Sequence, residues 1–139
     1  MCYKCQICGS YDLKDRGHHI IKRSTNRALI KCPMNIVHLC DKHHYMIHHG
    51  NNGNELDIYL RWQIQSRLEM LLDKHYFTIE EIKDILEITE VEAERLVKTK
   101  QLHKEGYSRD DIIQAFMVKK VTEEDLEKID LNKYPESIY

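Results

Sequence analysis

Leu39-Cys40-Asp41-Lys42-His43-His44-Tyr45-Met46-Ile47-His48-His49 is the stretch that decides the fold of this chain. Cys40 and His43 are two residues apart, the spacing at which a tight turn presents two donors to one tetrahedral ion. His44 and His48 are spaced i,i+4, so on a helix both imidazoles share a face and can bind one ion together. His43 precedes His44 by one residue and points roughly 100° away, toward a different metal. Asp41 is placed to cap this helix over His43–His49, and Gly50-Asn51-Asn52-Gly53 to stop it.

Upstream lies a second pair, Cys5-Gln6-Ile7-Cys8, followed by Gly9, which helps a knuckle turn close. Cys2 and Cys5 form a rival pair at the same spacing; the glycine favours Cys5 and Cys8. Five cysteines within the first forty residues, close to histidines, favour a metal over disulfides in a reducing compartment. Thiolates with an imidazole suit Zn²⁺, and four protein ligands make a closed structural site. Zinc there would replace a core that about fifty residues cannot build alone. Between the pairs, His19-Ile20-Ile21 and Ile36-Val37-His38-Leu39 are short β-prone runs separated by a polar loop with Cys32-Pro33. Neighbours on a strand project to opposite sides, so one of His18 and His19 can join a metal while the other faces a substrate. Asn35 immediately precedes the second run.

The order Cys-x2-Cys-Gly, His-His-Ile, Asn, Leu-Cys-x2-His-His-x3-His resembles the HNH endonucleases in their zinc-knuckle form. The resemblance covers residues 2–50, about a third of the chain. It implies an α+β fold: a zinc-stapled ββα-metal (His-Me finger) module, followed here by a mostly helical C-terminal region. It also implies structural zinc on Cys5, Cys8, Cys40 and His43, and a catalytic divalent ion (Mn²⁺, Mg²⁺, Ni²⁺ or Zn²⁺) on His18, His44 and His48. His19 is the implied general base and Asn35 the residue that holds it. Many members have Asp-His where this chain has His18-His19, and Cys where it has His43. Free-standing members of this size resemble phage or mobile-element nucleases, some of which work beside a DNA-packaging terminase.

The chemistry fits the residue types. A neutral imidazole with a pKa near ~6.5 can take a proton from water at physiological pH. A carboxamide such as Asn35 can fix its tautomer. An ion held by three protein ligands keeps open positions for a phosphate oxygen and the leaving 3′ oxygen. Three imidazoles without a carboxylate favour Mn²⁺, Ni²⁺, Co²⁺ or Zn²⁺ over Mg²⁺ in affinity. Arg16, Lys22, Arg23, Arg27 and Lys31 are placed to hold phosphates on either side of a scissile bond.

Composition agrees with a nucleic-acid partner at the N-terminal end. Residues 1–50 carry eight Lys/Arg against three Asp/Glu and seven of the nine histidines. Residues 51–139 carry thirteen against twenty. A basic segment suits a polyanion. With 42% hydrophobic residues, two prolines and five glycines, the chain is neither disordered nor collagen-like. No apolar run approaches the ~18 residues of a membrane span, and no basic-then-apolar leader opens the sequence. The expected setting is the cytoplasm, with DNA as partner and no membrane.

Beyond residue 53 the pattern turns helical. Leu56, Tyr59, Leu60, Ile64, Leu68, Leu71 and Leu72 recur at three- and four-residue spacing, which predicts one long helix to about Tyr76. Four capping-box patterns follow, at Thr78/Glu81, Thr89/Glu92, Ser108/Asp111 and Thr122/Asp125, predicting four short helices. Gly106 stands where a helix C-terminus would take a left-handed residue. Residues 78–100 carry a weak helix-turn-helix pattern with Val91 and Leu96 as apolar anchors, but Glu92 and Glu94 open its second helix and would repel phosphates. The expected division is therefore 1–53 as the metal module, 54–77 as a packing helix and 78–139 as a helical extension. The expected activity is metal-dependent hydrolysis of DNA phosphodiesters, as endonuclease or nickase. The rival reading is a non-catalytic zinc-binding DNA module or regulator.

Overall fold

The computed structural model describes residues 3–12, 16–49 and 53–139, with the side chains of Tyr3, Asp12 and Arg16 outside the description. The fold is α+β, with short antiparallel strands in three small sheets and six α-helices among the described residues. It divides into two compact units, each assembled from segments distant in sequence.

The first unit comprises Met1–Ile20, Ile36–Gln63 and Val121–Tyr139. Strands β1 (Tyr3–Lys4) and β2 (Tyr11–Asp12) pair on either side of the Cys5–Cys8 turn. Strands β3 (Arg16–His19) and β4 (Ile36–Leu39) pair antiparallel, with His18 opposite Val37 and His19 opposite Ile36. The first strand ends sooner than its sequence suggests: Ile20 and Ile21 lie beyond it, both buried. In β4 the burial alternates, Val37 and Leu39 inward, as a half-buried strand requires. Helix α1 (Asp41–His49) follows directly; its expected stop at residues 50–52 lies outside the described residues.

Helix α2 (Gly53–Leu71) contributes its first turns to this unit, with Leu56, Tyr59 and Leu60 fully buried. The short helix α6 (Glu123–Glu127) precedes a tail that runs along α2. Tyr59 stacks on Tyr134 with ring centroids 4.6 Å apart and donates its hydroxyl to the Pro135 carbonyl. The Gln63 carboxamide donates to the Glu136 carbonyl at 3.1 Å and accepts from the Ile138 N–H at 3.3 Å. Burial pushes the Tyr59 and Tyr134 phenols up to about 12, keeping Tyr59 a donor. The apolar edge of α2 at Tyr59 is thus covered by this chain's own tail.

The second unit comprises Ile21–Asn35 and Ile64–Lys120. Strands β5 (Tyr76–Phe77), β6 (Leu102–His103) and β7 (Gly106–Ser108) form a sheet in the order β5-β7-β6. Helices α3 (Ile79–Leu86), α4 (Glu90–Leu96) and α5 (Arg109–Met117) pack around Phe77, Ile82, Leu86, Leu96, Ile112 and Phe116, all buried. Each capping residue accepts from the N–H three residues on, and at Thr78, Thr89 and Thr122 the carboxylate completes the box. At Ser108, the last residue of β7, only the hydroxyl half forms.

Three expectations are corrected here. The long helix ends at Leu71 rather than near Tyr76, because Tyr76 belongs to β5, paired with β7; Arg109 satisfies the carbonyls left at the end, Nε donating to Leu72 O at 2.7 Å and the guanidinium to Glu69 O at 2.8 Å. Val91 is 64% exposed and anchors nothing, whereas Leu96 is buried. Gly106 ends no helix; it opens β7 at φ +125, and a Cβ there would lie 2.4 Å from the Phe77 carbonyl oxygen. Gly106→Ala is expected to lower stability by at least ~2 kcal/mol, from strain and clash together, read as a shift in the urea midpoint at unchanged slope.

Candidate metal centres

The knuckle turn is built from local hydrogen bonds. Gly9 N–H donates to Cys5 O at 2.8 Å, and the turn closes with Gly9 at φ +76, a left-handed conformation that glycine adopts without cost. Cys5 N–H donates to Ser10 O, also at 2.8 Å. Gln6 then fastens the turn to β4. Its N–H donates to His38 O at 2.9 Å, and its carboxamide oxygen accepts from His38 N–H at 2.7 Å. Sequence reasoning missed Gln6; the signal available was a polar residue with both donor and acceptor held between two ligands.

These elements bring Cys5, Cys8, Cys40 and His43 together, with all ligand atoms within 4.8 Å of one another. Cys8 Sγ and Cys40 Sγ are 3.8 Å apart, and His43 Nδ1 lies 3.2 Å from Cys40 Sγ and 3.7 Å from Cys5 Sγ. Bonds of ~2.3 Å to sulfur and ~2.05 Å to nitrogen at tetrahedral angles require edges of about 3.8 Å (S–S) and 3.6 Å (S–N). The donor set and its spacing are consistent with structural Zn²⁺. The electrostatics favour the ligating forms in two of the four residues. Ser10 Oγ, 3.0 Å from Cys8 Sγ, brings that thiol down to about 7. Burial, then the Lys42 charge, lowers the His43 pKa, favouring the neutral imidazole. Burial raises the Cys40 thiol, an opposition that a bound cation would offset.

A second set lies on the other side of α1. His18, His44 and His48 also place their ligand atoms within 4.8 Å of one another. Their rings meet edge to face, with centroids 5.8 Å apart for His18–His44 and His18–His48, and 4.9 Å for His44–His48. His18 and His44 are half-buried and His48 is exposed, so the set opens to solvent at one end. Three imidazoles without a carboxylate suit a borderline divalent ion. His18 is the member of the His-His pair that joins this set; His19 is not among its members.

Asn35 is fully buried, and its carboxamide is committed to backbone. Oδ1 accepts from Ile21 N–H at 2.7 Å, and Nδ2 donates to Ile21 O at 3.0 Å and Leu29 O at 3.3 Å. With both amide hydrogens used, its hold is on the loop that leaves β3. Lys22, Arg23, Arg27 and Lys31 of that loop are exposed, and the Arg16 side chain lies outside the described residues. The loop is fixed within the second unit by Asn26, whose amide donates to Ala115 O at 2.9 Å, and by Cys32, whose thiol donates to Leu86 O at 3.3 Å. Burial pushes the Cys32 thiol up to about 11, which makes it an inert core residue.

No family model matches this chain, nor does any of the curated proteins or solved structures compared with it. Among the described residues no helix is long and apolar enough to cross a membrane.

Two predictions test this geometry. Co²⁺ exchanged into the protein should give thiolate-to-metal charge-transfer absorption that Cys40→Ser loses and His44→Ala keeps, separating the two sets spectroscopically. Asn35→Ala leaves one buried N–H and two buried carbonyls without their partner, and should cost about 3 kcal/mol in urea unfolding while the cobalt spectrum persists.

Proposed function

We propose that this chain is a metal-dependent DNA endonuclease or nickase of the HNH type. The convergence of His18, His44 and His48 on one point, beside a Cys3His cluster and on a hairpin-plus-helix frame, supports this reading. A purely structural zinc protein has use for the first cluster and none for the second. The catalytic ion would sit on the three imidazoles, and when bound supplies Lewis-acid charge at a phosphate oxygen and at the leaving 3′ oxygen. His18 and His44, both half-buried, restrict the approach to the end where His48 is exposed.

His19, next on β3, is the proposed base that takes the proton from the attacking water. Asn35 holds the peptide of Ile21, two residues beyond His19 in the sequence. The products are a 5′-phosphate and a 3′-hydroxyl. A phage or mobile-element setting, and a packaging terminase as partner, are part of the same proposal and rest on the family resemblance alone.

The second unit supports the rival reading of a zinc-containing DNA-binding module. Its α3–α4 pair is followed by the β6–β7 hairpin, an arrangement like a helix-turn-helix with a wing. Against it, α4 opens with exposed Glu90 and Glu94, where a reader of phosphates would carry cations.

Supercoiled plasmid incubated with Mn²⁺, Ni²⁺ or Mg²⁺ separates the two. Cleavage is expected with Mn²⁺ or Ni²⁺ above Mg²⁺ at equal concentration, reduced at least ~100-fold by His19→Ala and by His44→Ala. Plasmid binding without cleavage in every metal, by protein that retains zinc, would favour the module instead.

A further inference from the structure

Helix α1 has three working faces. His43 turns to the cysteines, and His44 with His48 turns to His18. Lys42, Tyr45 and His49 stand at i, i+3 and i+7, within about 60° of one another, on a third face about 110° from the His44/His48 face. No residue of α1 is buried, and Tyr45 is 65% exposed. A phenol ring that exposed normally lays its apolar face on a neighbour. Here it lies against His49 instead, centroids 4.5 Å apart and rings tilted by 32°, so the two form one aromatic surface still open to solvent.

The surface is continuous with the second histidine set. The His49 ring centroid is 6.3 Å from that of His48, less than two base steps of ~3.4 Å. Lys42, exposed and three residues before Tyr45, adds a cation at a position on the same helical face. Aromatic rings and a cation in one line are what a single nucleic-acid strand needs: π faces for bases and positive charge for its phosphates. Bases inside a duplex are already stacked and present only their edges, so this surface has nothing to offer them.

We propose that Tyr45 and His49 form a stacking platform for an unpaired base next to the phosphate held at His18, His44 and His48, with Lys42 on the adjoining phosphate. The substrate class is then DNA with a single-stranded or extruded nucleotide at the cut, such as a flap, gap or displaced strand. This rests on the nuclease reading for the position of the phosphate, but base stacking is measurable without cleavage.

The test uses the full-length zinc-loaded protein, without other added metal, and a DNA oligonucleotide carrying 2-aminopurine, whose fluorescence falls when it stacks. Single-stranded and fully paired forms are titrated in parallel. The wild type should quench the single strand and bind it more tightly than the duplex. Tyr45→Ala with His49→Ala should weaken single-strand binding about 5- to 150-fold and abolish the quench, leaving duplex binding within about twofold. Tyr45→Phe, which keeps the ring, should behave as wild type. Both positions are exposed on a helix, so alanine should preserve fold and zinc content, checked by circular dichroism and metal analysis.

Unchanged single-strand affinity and quench in the double variant would overturn the platform. So would an equal loss in Tyr45→Phe, which would assign the effect to the phenol hydroxyl. Quenching without cleavage of either plasmid or a flap-bearing oligonucleotide in any metal would remove the nuclease and leave the platform standing. Cleavage without quenching would do the reverse.

Discussion

Three sulfurs and one nitrogen, a few ångströms apart, hold together parts of the first unit that have little else to hold them. Cys5 and Cys8 come from a turn between two-residue strands, Cys40 from the residue after β4, and His43 from α1. None of these pieces is long enough to be stable alone. Helix α1 is the extreme case: it buries no residue, so no fully buried side chain fixes its position. Its placement depends on His43 and on the Cys40 carbonyl, which accepts from His44 N–H at 2.9 Å. Any ion in the Cys3His cluster therefore sets where His44 and His48 stand relative to His18. The Cys3His set and the His18/His44/His48 set thus share one turn of helix.

The two groups that could hold a metal were legible because each pair is local. A spacing of two or three residues fixes geometry within a turn, and the sequence displays it openly: Cys5/Cys8, Cys40/His43, His44/His48. Bringing them together needed two further links: Gln6 fastening the knuckle turn to β4, and the β3–β4 pairing on which His18 lies. Asn35 was legible as a residue with a job and illegible in its partners, since a carboxamide can bond imidazole or backbone and spacing does not distinguish them. The capping boxes were readable for the same local reason, with the one at Ser108 half-formed.

What escaped reading is non-local. The sheet β5-β7-β6 is made from strands of two and three residues, too short to show an alternating pattern. Gly106 was correctly singled out and wrongly explained: the close approach of Phe77, 29 positions earlier, is invisible until the sheet exists. The carbonyls at the end of α2 are likewise satisfied from a distance, by Arg109 across 37 residues. Periodicity reports which face of a helix is apolar. It does not report where a remote guanidinium takes over the last carbonyls.

Gln6 carries one further consequence. Besides its bonds to β4, its amide donates to the carbonyl of Ile138, 132 positions later, at 2.7 Å. The knuckle turn can close on metal as soon as Cys40 and His43 have been synthesised, but this brace waits for Ile138, 95 residues after His43. At ordinary translation rates that delay is on the order of ten seconds. A nascent chain thus passes through a stage in which the ligands are assembled while the polar edge of the turn still faces water. Ile138 then converts an early, local fold into a closed one, so the order of synthesis is also an order of assembly.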